Sequence, residues 1–255
     1  MTVFTYDKTF DGLLSCIFFA YENRVFPDLI LAEEAQKSLF TEISYRVPTE
    51  DEKAVRVWKS LERKLSPMAR KAMFAVWLSE LEETDMLLFR YIRKNIDAPQ
   101  GIEMNFGDAD VLRCEEIARK VAKDAQKLIQ FIRFQETADG IYFAPVSPQH
   151  NTLQMVARHF KARFADRQWV IYDTRRRFGI YYDLKTVSEI TFSEEDAEKL
   201  SSGKLDNAKL SESETLLQTL WKEYFKTLAI KERVNLRLQR QNMPKRYWKY
   251  MTEMQ

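Results

Sequence analysis

Apolar residues recur every three or four positions through most of residues 7–127, a spacing that predicts helices with one buried face. The first predicted helix runs from Phe10 to Asn23, and Asp7 or Thr9 is placed to cap its N-terminus. A long apolar pattern then continues from Phe74 to Ile92. The N-terminal half is therefore predicted to be mainly helical.

Helix-start signals divide this region into separate helices. Thr49 and Glu52 have the spacing of a capping box, in which each side chain satisfies a backbone donor of the other residue. Ser66–Pro67 combines a cap with a first helical residue, and Asp108 is placed to cap the next helix. Residues 25–45 show no single period and remain open to a mixture of short helix and strand.

After residue 127 the pattern changes to the shorter period of β-strands. Asp139–Gly140 predicts a hairpin turn between the first two strands, and a helix from Pro148 to Phe164 is predicted to cover one face of the sheet. The predicted strands are Leu128–Gln135, Ile141–Val146, Trp169–Thr174, Phe178–Asp183 and Val187–Phe192. This order of elements predicts a mostly antiparallel sheet over residues 128–192.

Three more helices are predicted toward the C-terminus. Ser193 opens a short acidic helix, for which Gly203 is a natural stop. Ser211–Glu214 is a second capping box and opens a helix that continues through Leu216–Ile230. Pro244 is placed to begin a last helical turn.

The predicted fold class is therefore α+β. A helical N-terminal part precedes a central, mostly antiparallel sheet with packed helices, and C-terminal helices follow. Residues 1–127 form the mainly helical region, and residues 128–255 hold the sheet, helices and a basic C-terminal segment. The two regions are either separate or one continuous domain. The length of 255 residues and the 45% hydrophobic content allow a sizeable core, and 6 Gly and 7 Pro argue against long low-complexity segments.

The net charge is only +2, so attraction to an anionic partner must come from local segregation of charge. Met155–Arg177 contains seven basic residues and two acids, and Lys231–Tyr250 contains seven basic residues and one acid. Ser193–Glu214, which lies between them, contains seven acids and three lysines. Solvated helix faces explain such blocks equally well, so both interpretations stay open.

Several classes of site and location are disfavoured. Cys16 and Cys114 lack a CxxC partner, and each is expected to be a small buried residue, so no metal or cofactor is expected. His150 and His159 are predicted to lie on one helix and to point to opposite sides of it, which excludes a shared metal. No signal peptide or membrane-spanning run is recognisable, and a cytoplasmic location is expected.

No catalytic motif is recognisable, but three residues are candidate acid/base groups: His150, Asp173 and Glu136. Strict strand alternation places Asp173 on the face of Trp169, where it is either an arginine partner or a catalytic or magnesium-binding carboxylate. His150 is either a polar residue near a helix start or a phosphate contact. Binding is favoured over catalysis.

Basic and aromatic side chains carry the prediction of nucleic-acid binding. Three adjacent arginines, Arg175–Arg177, occupy one turn, and their mutual repulsion needs either phosphate contacts or pairing with the acidic residues 194–198. The two aromatics of the terminal segment either stack on bases or anchor the last helix. The candidate contacts are Arg158, Arg163, Arg175, Arg176, Arg177, Arg237, Arg240, Lys245, Arg246, Tyr247 and Trp248. The last helix is expected to expose its arginines and Lys245.

An ordered set of short motifs resembles a bacterial domain-of-unknown-function family that is associated with DNA metabolism and DNA repair. The motifs are Tyr6–Asp7, Phe10–Gly12, Ile132–Phe134, Gly140–Tyr142, Pro148–Asn151, His159–Phe160, Arg163–Phe164, Trp169, Tyr172–Arg176, Tyr181–Asp183, Asn235–Gln239 and Met243–Trp248. Asn235–Arg237 departs from the family's usual Asn-Pro-Arg, which affects the expected local turn.

The resemblance implies partners as well as a process. Members are typically encoded with a radical SAM protein, and some carry a fused uracil-DNA-glycosylase-like domain. The expected function is that of a DNA-binding accessory protein that works with such a partner. Two alternatives stay open: an enzyme that processes DNA lesions, and a protein-interaction module without nucleic-acid contact.

Overall fold

The structure, a computed structural model, describes residues 1–35, 41–201, 210–228, 233 and 235–254. Helices and two β-sheets confirm the predicted α+β class. The chain forms two compact units, Met1–Ala122 and Lys123–Gln255. Of the helices in the described ranges, none is both long and apolar enough to cross a bilayer.

The first unit contains a small parallel sheet with helices around it. Strand β1 (Thr2–Tyr6) is central and pairs in parallel with β2 (Leu29–Ala32) and β3 (Ile43–Arg46). The helices are α1 (Phe10–Asn23), α2 (Asp51–Lys64), α3 (Pro67–Trp77), α4 (Thr84–Asp97) and α5 (Ala109–Phe131), the last of which begins in this unit. Within residues 25–45, the described segments thus contain strands and no helix.

Helix capping in this unit confirms three predictions and corrects one. Thr9, Ser66 and Asp108 cap α1, α3 and α5 through their side-chain oxygens. The capping box at Thr49 does not form, because the Thr49 hydroxyl donates instead to the Asp7 carboxylate at 2.8 Å. The long apolar pattern is also interrupted, since the chain turns between α3 and α4 with Glu80 at a φ of 54°.

The second unit is built on a five-stranded sheet in the order β4-β5-β6-β7-β8. The strands are β4 (Gln135–Glu136), β5 (Tyr142–Val146), β6 (Trp169–Asp173), β7 (Phe178–Tyr182) and β8 (Val187–Thr191). Helix α6 (Leu153–Arg163) connects β5 to β6, which are parallel, and the other neighbours are antiparallel. The sheet is therefore mostly antiparallel, as predicted.

One predicted strand and one predicted helix start in this unit are wrong. Of the predicted strand Leu128–Gln135, only Gln135 lies in β4. Leu128–Phe131 belongs to α5, because Leu128 continues the buried stripe of that helix. Helix α6 begins at Leu153, five residues after the predicted start at Pro148. His150 therefore precedes the helix, and the predicted opposition of two histidines on one helix does not apply.

Both faces of the central strand β6 are covered, and all five of its residues are buried. Trp169 and Ile171 pack in one core cluster with Phe160 of α6, whereas Val170 and Tyr172 pack in a second cluster. Burial on both faces fixes the position of the strand end at Asp173.

The remaining helices are α7 (Glu194–Ser201), α8 (Glu212–Leu228), α9 (Leu236–Asn242) and α10 (Lys245–Trp248), followed by a 3-10 turn at Thr252–Met254. The predicted stop at Gly203 and the end of the predicted helix at residues 229–230 lie outside the described residues. Ser211 caps α8 through the backbone N–H of Glu214. The reciprocal bond is absent, since the Ser211 N–H donates to the Glu136 carbonyl.

A close backbone approach between β6 and β7 generates a stability prediction. A Cβ atom at Gly179 would lie 2.7 Å from the Ile171 carbonyl oxygen. Both β6 and β7 have a paired strand on each side, so neither can move easily to relieve this contact. Gly179→Ala is expected to lower the free energy of unfolding by about 1–3 kcal/mol in urea denaturation. Gly107→Ala, at an exposed site, is the control. Equal stability of the two variants would contradict the close approach.

Candidate functional site

The carboxyl ends of β5 and β6 meet at one edge of the sheet, because the two strands are parallel and Val146 pairs with Asp173. Two connecting segments leave this edge: the loop Ser147–Thr152, which leads to α6, and the turn Thr174–Arg177, which leads to β7. Ligands of α/β proteins commonly bind beyond the carboxyl ends of parallel strands. Because both segments begin at this edge, the candidates on them, His150 and Arg175–Arg177, lie near one another.

The carboxylate of Asp173 fixes the arginine turn by accepting hydrogen bonds from it. Its carboxylate, which is 0% exposed, accepts from the backbone N–H groups of Arg175 and Arg176 at 2.9 and 3.2 Å. It also accepts from Arg176 Nη1 at 2.8 Å. Burial raises the pKa of Asp173 above its ordinary value, and the bonds to Arg176 counteract that rise. This geometry matches the interpretation of Asp173 as an arginine partner.

Backbone carbonyls of the neighbouring loop offset part of the repulsion between the arginines. Arg175 Nη1 and Arg176 Nη2 donate to the Gln149 carbonyl at 3.1 and 3.2 Å, and Arg176 Nη1 also contacts the Pro148 carbonyl. Arg175 and Arg177 remain exposed residues. The turn thus holds one guanidinium in a structural position and presents two others at the surface.

A second buried carboxylate joins three segments of this unit. Asp124 of α5 is 4% exposed and accepts from the His150 backbone N–H at 3.0 Å. It also accepts from the Tyr247 hydroxyl at 3.0 Å and from Arg246 Nη2 at 2.5 Å. Burial and the nearby Asp124 charge raise the pKa of Tyr247 above its ordinary value, so Tyr247 stays a neutral donor. The loop and the C-terminal helix are held to α5 at this point.

The two basic blocks of the sequence are adjacent in the fold. The hydroxyl of Thr174, at the start of the arginine turn, is 2.7 Å from the hydroxyl of Tyr250, just after α10. The path Arg175–Gln149–His150–Asp124–Arg246 connects the same two blocks through one loop. Residues near 175 and 246 therefore lie on neighbouring elements of one unit.

Next to this connection lies an open cleft of about 470 Å³, which we call the polar cleft. One wall is a single face of α5, and the other is the end of α9. Its lining residues are Lys123, Gln126, Lys127, Gln130, Gln241 and Asn242, two lysines and four amides. The α5 residues are spaced i, i+3, i+4 and i+7, which is the signal that was available in the sequence. No sequence pattern indicated that the end of α9 lies opposite this face.

The terminal segment is ordered, and its side chains divide into anchors and exposed cations. Tyr247 is buried in the core, and Trp248 Nε1 donates to the Met243 carbonyl at 2.9 Å, which corresponds to the anchor interpretation of both aromatics. Arg246 pairs with Asp124 and is only 35% exposed, so the expectation of a freely exposed Arg246 is wrong. Of the predicted nucleic-acid contacts in this segment, Arg237, Arg240 and Lys245 are exposed.

Other candidates lie away from this edge of the sheet. Glu136 pairs with Tyr142 at the opposite end of β5, four residues or about 13 Å from Val146. Arg163 ends α6, where its guanidinium lies over the ring of Phe164, and Arg158 is exposed in the middle of that helix. Among the described residues, no group of three His, Cys, Asp or Glu side chains has the geometry of a metal site.

Comparison with known proteins assigns a family. Residues 82–253 match a family described as a domain of unknown function, DUF4130. The chain belongs to the DUF4130 family. The match covers almost all of the second unit and part of the first, so the motifs at Tyr6–Asp7 and Phe10–Gly12 lie outside it. Membership confirms the predicted resemblance to an uncharacterised family.

No curated protein matches the DUF4130 chain. Among solved structures, it is similar to a pGpG-specific phosphodiesterase, PggH, from Vibrio cholerae, with 10% identity, 78% of this chain and 96% of that chain covered, and a TM-score of 0.31. At this TM-score the two backbones differ too much to support a functional argument.

The three bonds to Asp124 generate the prediction for this site. Asp124→Asn removes the charge that pairs with Arg246, and the free energy of unfolding should fall by about 2–4 kcal/mol. The loss should be smaller than for a fully buried ion pair, because Arg246 is partly solvated. Asp166→Asn, at a side chain that is 79% exposed, is the control. Urea denaturation measures both variants, and a loss no larger than the control's would show that Asp124 does not organise the unit.

Proposed function

We propose that this DUF4130 protein binds nucleic acid through its second unit and acts as an accessory protein in DNA metabolism. The observation that carries the proposal is the polar cleft, whose lining contains two lysines and four amides and no acid. Lysine ammonium groups neutralise phosphates, and carboxamides donate to and accept from sugars and base edges. This set of side chains suits a nucleic-acid strand better than it suits an apolar ligand.

Exposed cations on neighbouring elements of the same unit would extend the surface beyond the polar cleft. Arg237 and Arg240 lie on α9, whose last residues line the cleft, and Lys245 opens the following helix. Arg175 and Arg177 lie on the turn that contacts the C-terminal segment through Thr174. The α9 arginines and Lys245 lie within five residues of the lining residues Gln241 and Asn242, which supports phosphate contacts on more than one nucleotide.

The proposed role is binding and presentation of DNA, with the chemistry supplied by a partner. The family resemblance supports a radical SAM protein or a uracil-DNA-glycosylase-like protein as that partner. Asp173, the most buried acid/base candidate, already accepts three hydrogen bonds from the arginine turn. That engagement favours a structural task for this carboxylate.

Charge reversal within the polar cleft tests the proposal. Lys123→Glu with Lys127→Glu should weaken DNA binding at least about tenfold and should reduce the slope of log K against log salt by about two, one for each phosphate contact. Fluorescence anisotropy with labelled single- and double-stranded oligonucleotides measures both quantities.

The matched control is Lys59→Glu with Lys71→Glu, which reverses two exposed lysines of the first unit. Their effect on affinity should be small at physiological salt. Absence of DNA binding by the unmodified protein at low salt would end the proposal. Equal losses from both double variants would instead indicate non-specific attraction.

The extent of the surface is a separate prediction. Arg237→Glu with Arg240→Glu, and Arg175→Glu with Arg177→Glu, should each lower the affinity, whereas Arg163→Glu at the far end of α6 should not. If only the polar-cleft variant weakens binding in the same anisotropy assay, the contact is confined to the cleft. If Arg163→Glu weakens binding equally, the binding face differs from the proposed one.

A further inference from the structure

Helix α8 presents an apolar face to solvent. Five large side chains on this face are between 54 and 62% exposed: Leu216, Leu217, Leu220, Tyr224 and Leu228. Trp221 and Phe225 flank them at 41 and 40%. Spacings of three, four and seven place them on one stripe of a 17-residue helix about 25 Å long. A contiguous apolar stripe of this size is typical of an interaction surface.

The side of α8 that faces its own unit is polar, which reverses the usual arrangement. Glu214, the buried residue of this helix, accepts from the Glu136 N–H and from Gln218. Trp221, at the margin of the stripe, donates to Glu253 at 3.0 Å. Hydrogen bonds therefore attach α8 to the unit, and most of its leucines do not contribute to that attachment. The apolar side chains are positioned for a different surface.

The charges along α8 favour a second copy of the same helix in antiparallel orientation. Glu212 and Lys226 are fourteen residues apart, close to four helical turns, and so lie on the same flank of the stripe. In an antiparallel pair the flanking Glu212 of one copy meets Lys226 of the other, and this contact occurs twice. In a parallel pair each flank faces the opposite flank of the other copy, so Glu212 and Lys226 would not meet. Opposed helix dipoles add to the antiparallel preference.

We infer that α8 is the contact surface between two copies of this chain, which pair by an antiparallel α8–α8 contact about a twofold axis near Leu220. Such an isologous contact uses one stripe on both copies. Covering the seven side chains would bury roughly 700 Å² per copy, close to the ~800 Å² per partner of a standard interface. Leu217 of one copy then lies beside Tyr224 of the other.

The first experiment measures the oligomeric state of the full chain. Sedimentation velocity across micromolar concentrations should show twice the 30.3 kDa mass of one chain. Leu217→Gln with Leu220→Gln should raise the dimer dissociation constant about 100-fold or more, because each substitution occurs twice in the contact. Both residues are exposed, so circular dichroism and the melting temperature at low concentration should be unchanged.

Met68→Gln with Leu112→Gln, two exposed apolar residues of the first unit, is the matched control and should leave the dimer intact. A wild-type chain that is monomeric at all concentrations would overturn the inference and would assign the stripe to another partner. A dimer that is unaffected by the α8 variant would overturn it as well, because the copies would then meet elsewhere.

The second experiment tests the orientation. Ser213→Cys and Thr227→Cys lie near opposite ends of the stripe, and the native Cys16 and Cys114 are buried. Under mild oxidation a mixture of the two variants should form a disulfide between them, whereas each variant alone should form far less. Efficient crosslinking of each variant with itself would indicate a parallel pair and would contradict the antiparallel contact.

Discussion

The second unit depends on the buried carboxylate of Asp124. Three segments that are far apart in sequence meet at it: α5 supplies the acid, the loop after β5 donates the His150 N–H, and α10 donates from Arg246 and Tyr247. A buried carboxylate is costly unless nearly all of its acceptor capacity is used. The three donors therefore have little freedom, and their positions determine where the neighbouring basic residues lie.

Asp173 is a second buried carboxylate whose hydrogen bonds fix its neighbours, and it lies on the other side of the same loop. It holds the arginine turn through two backbone N–H groups and one guanidinium, and its strand is fixed by burial on both faces. Together, the two acids pair with Arg176 and Arg246 and leave Arg175, Arg177 and Lys245 exposed at fixed places. Cations that are pre-positioned in this way lose less entropy on meeting a phosphate than cations of a flexible tail.

Sequence reasoning succeeded where a local pattern determines the outcome. The period of two located β6, β7 and β8 almost to the residue, and the caps at Thr9, Ser66 and Asp108 follow from adjacent side chains. It failed where long-range contacts decide. The hydroxyl of Thr49 bonds to Asp7, forty-two residues away, and β2 and β3 exist because both pair with β1. The polar cleft was missed for the same reason, since its two walls are more than one hundred residues apart.

The two proposed surfaces of the second unit differ in the force that would stabilise them. Phosphate contacts in the polar cleft would release counterions, so their contribution would fall steeply as salt rises. Contact between two apolar stripes of α8 would be stabilised by removing leucine and aromatic surface from water, an effect that added salt does not weaken in the same way.

Two copies joined through α8 would also carry two polar clefts, and the second cleft would engage one DNA molecule at a high effective concentration. Because each dimer would then neutralise twice as many phosphates, dimerisation would steepen the salt dependence of DNA binding while being itself less sensitive to salt. The apolar face of one helix would in this way control how strongly an almost neutral chain responds to a polyanion.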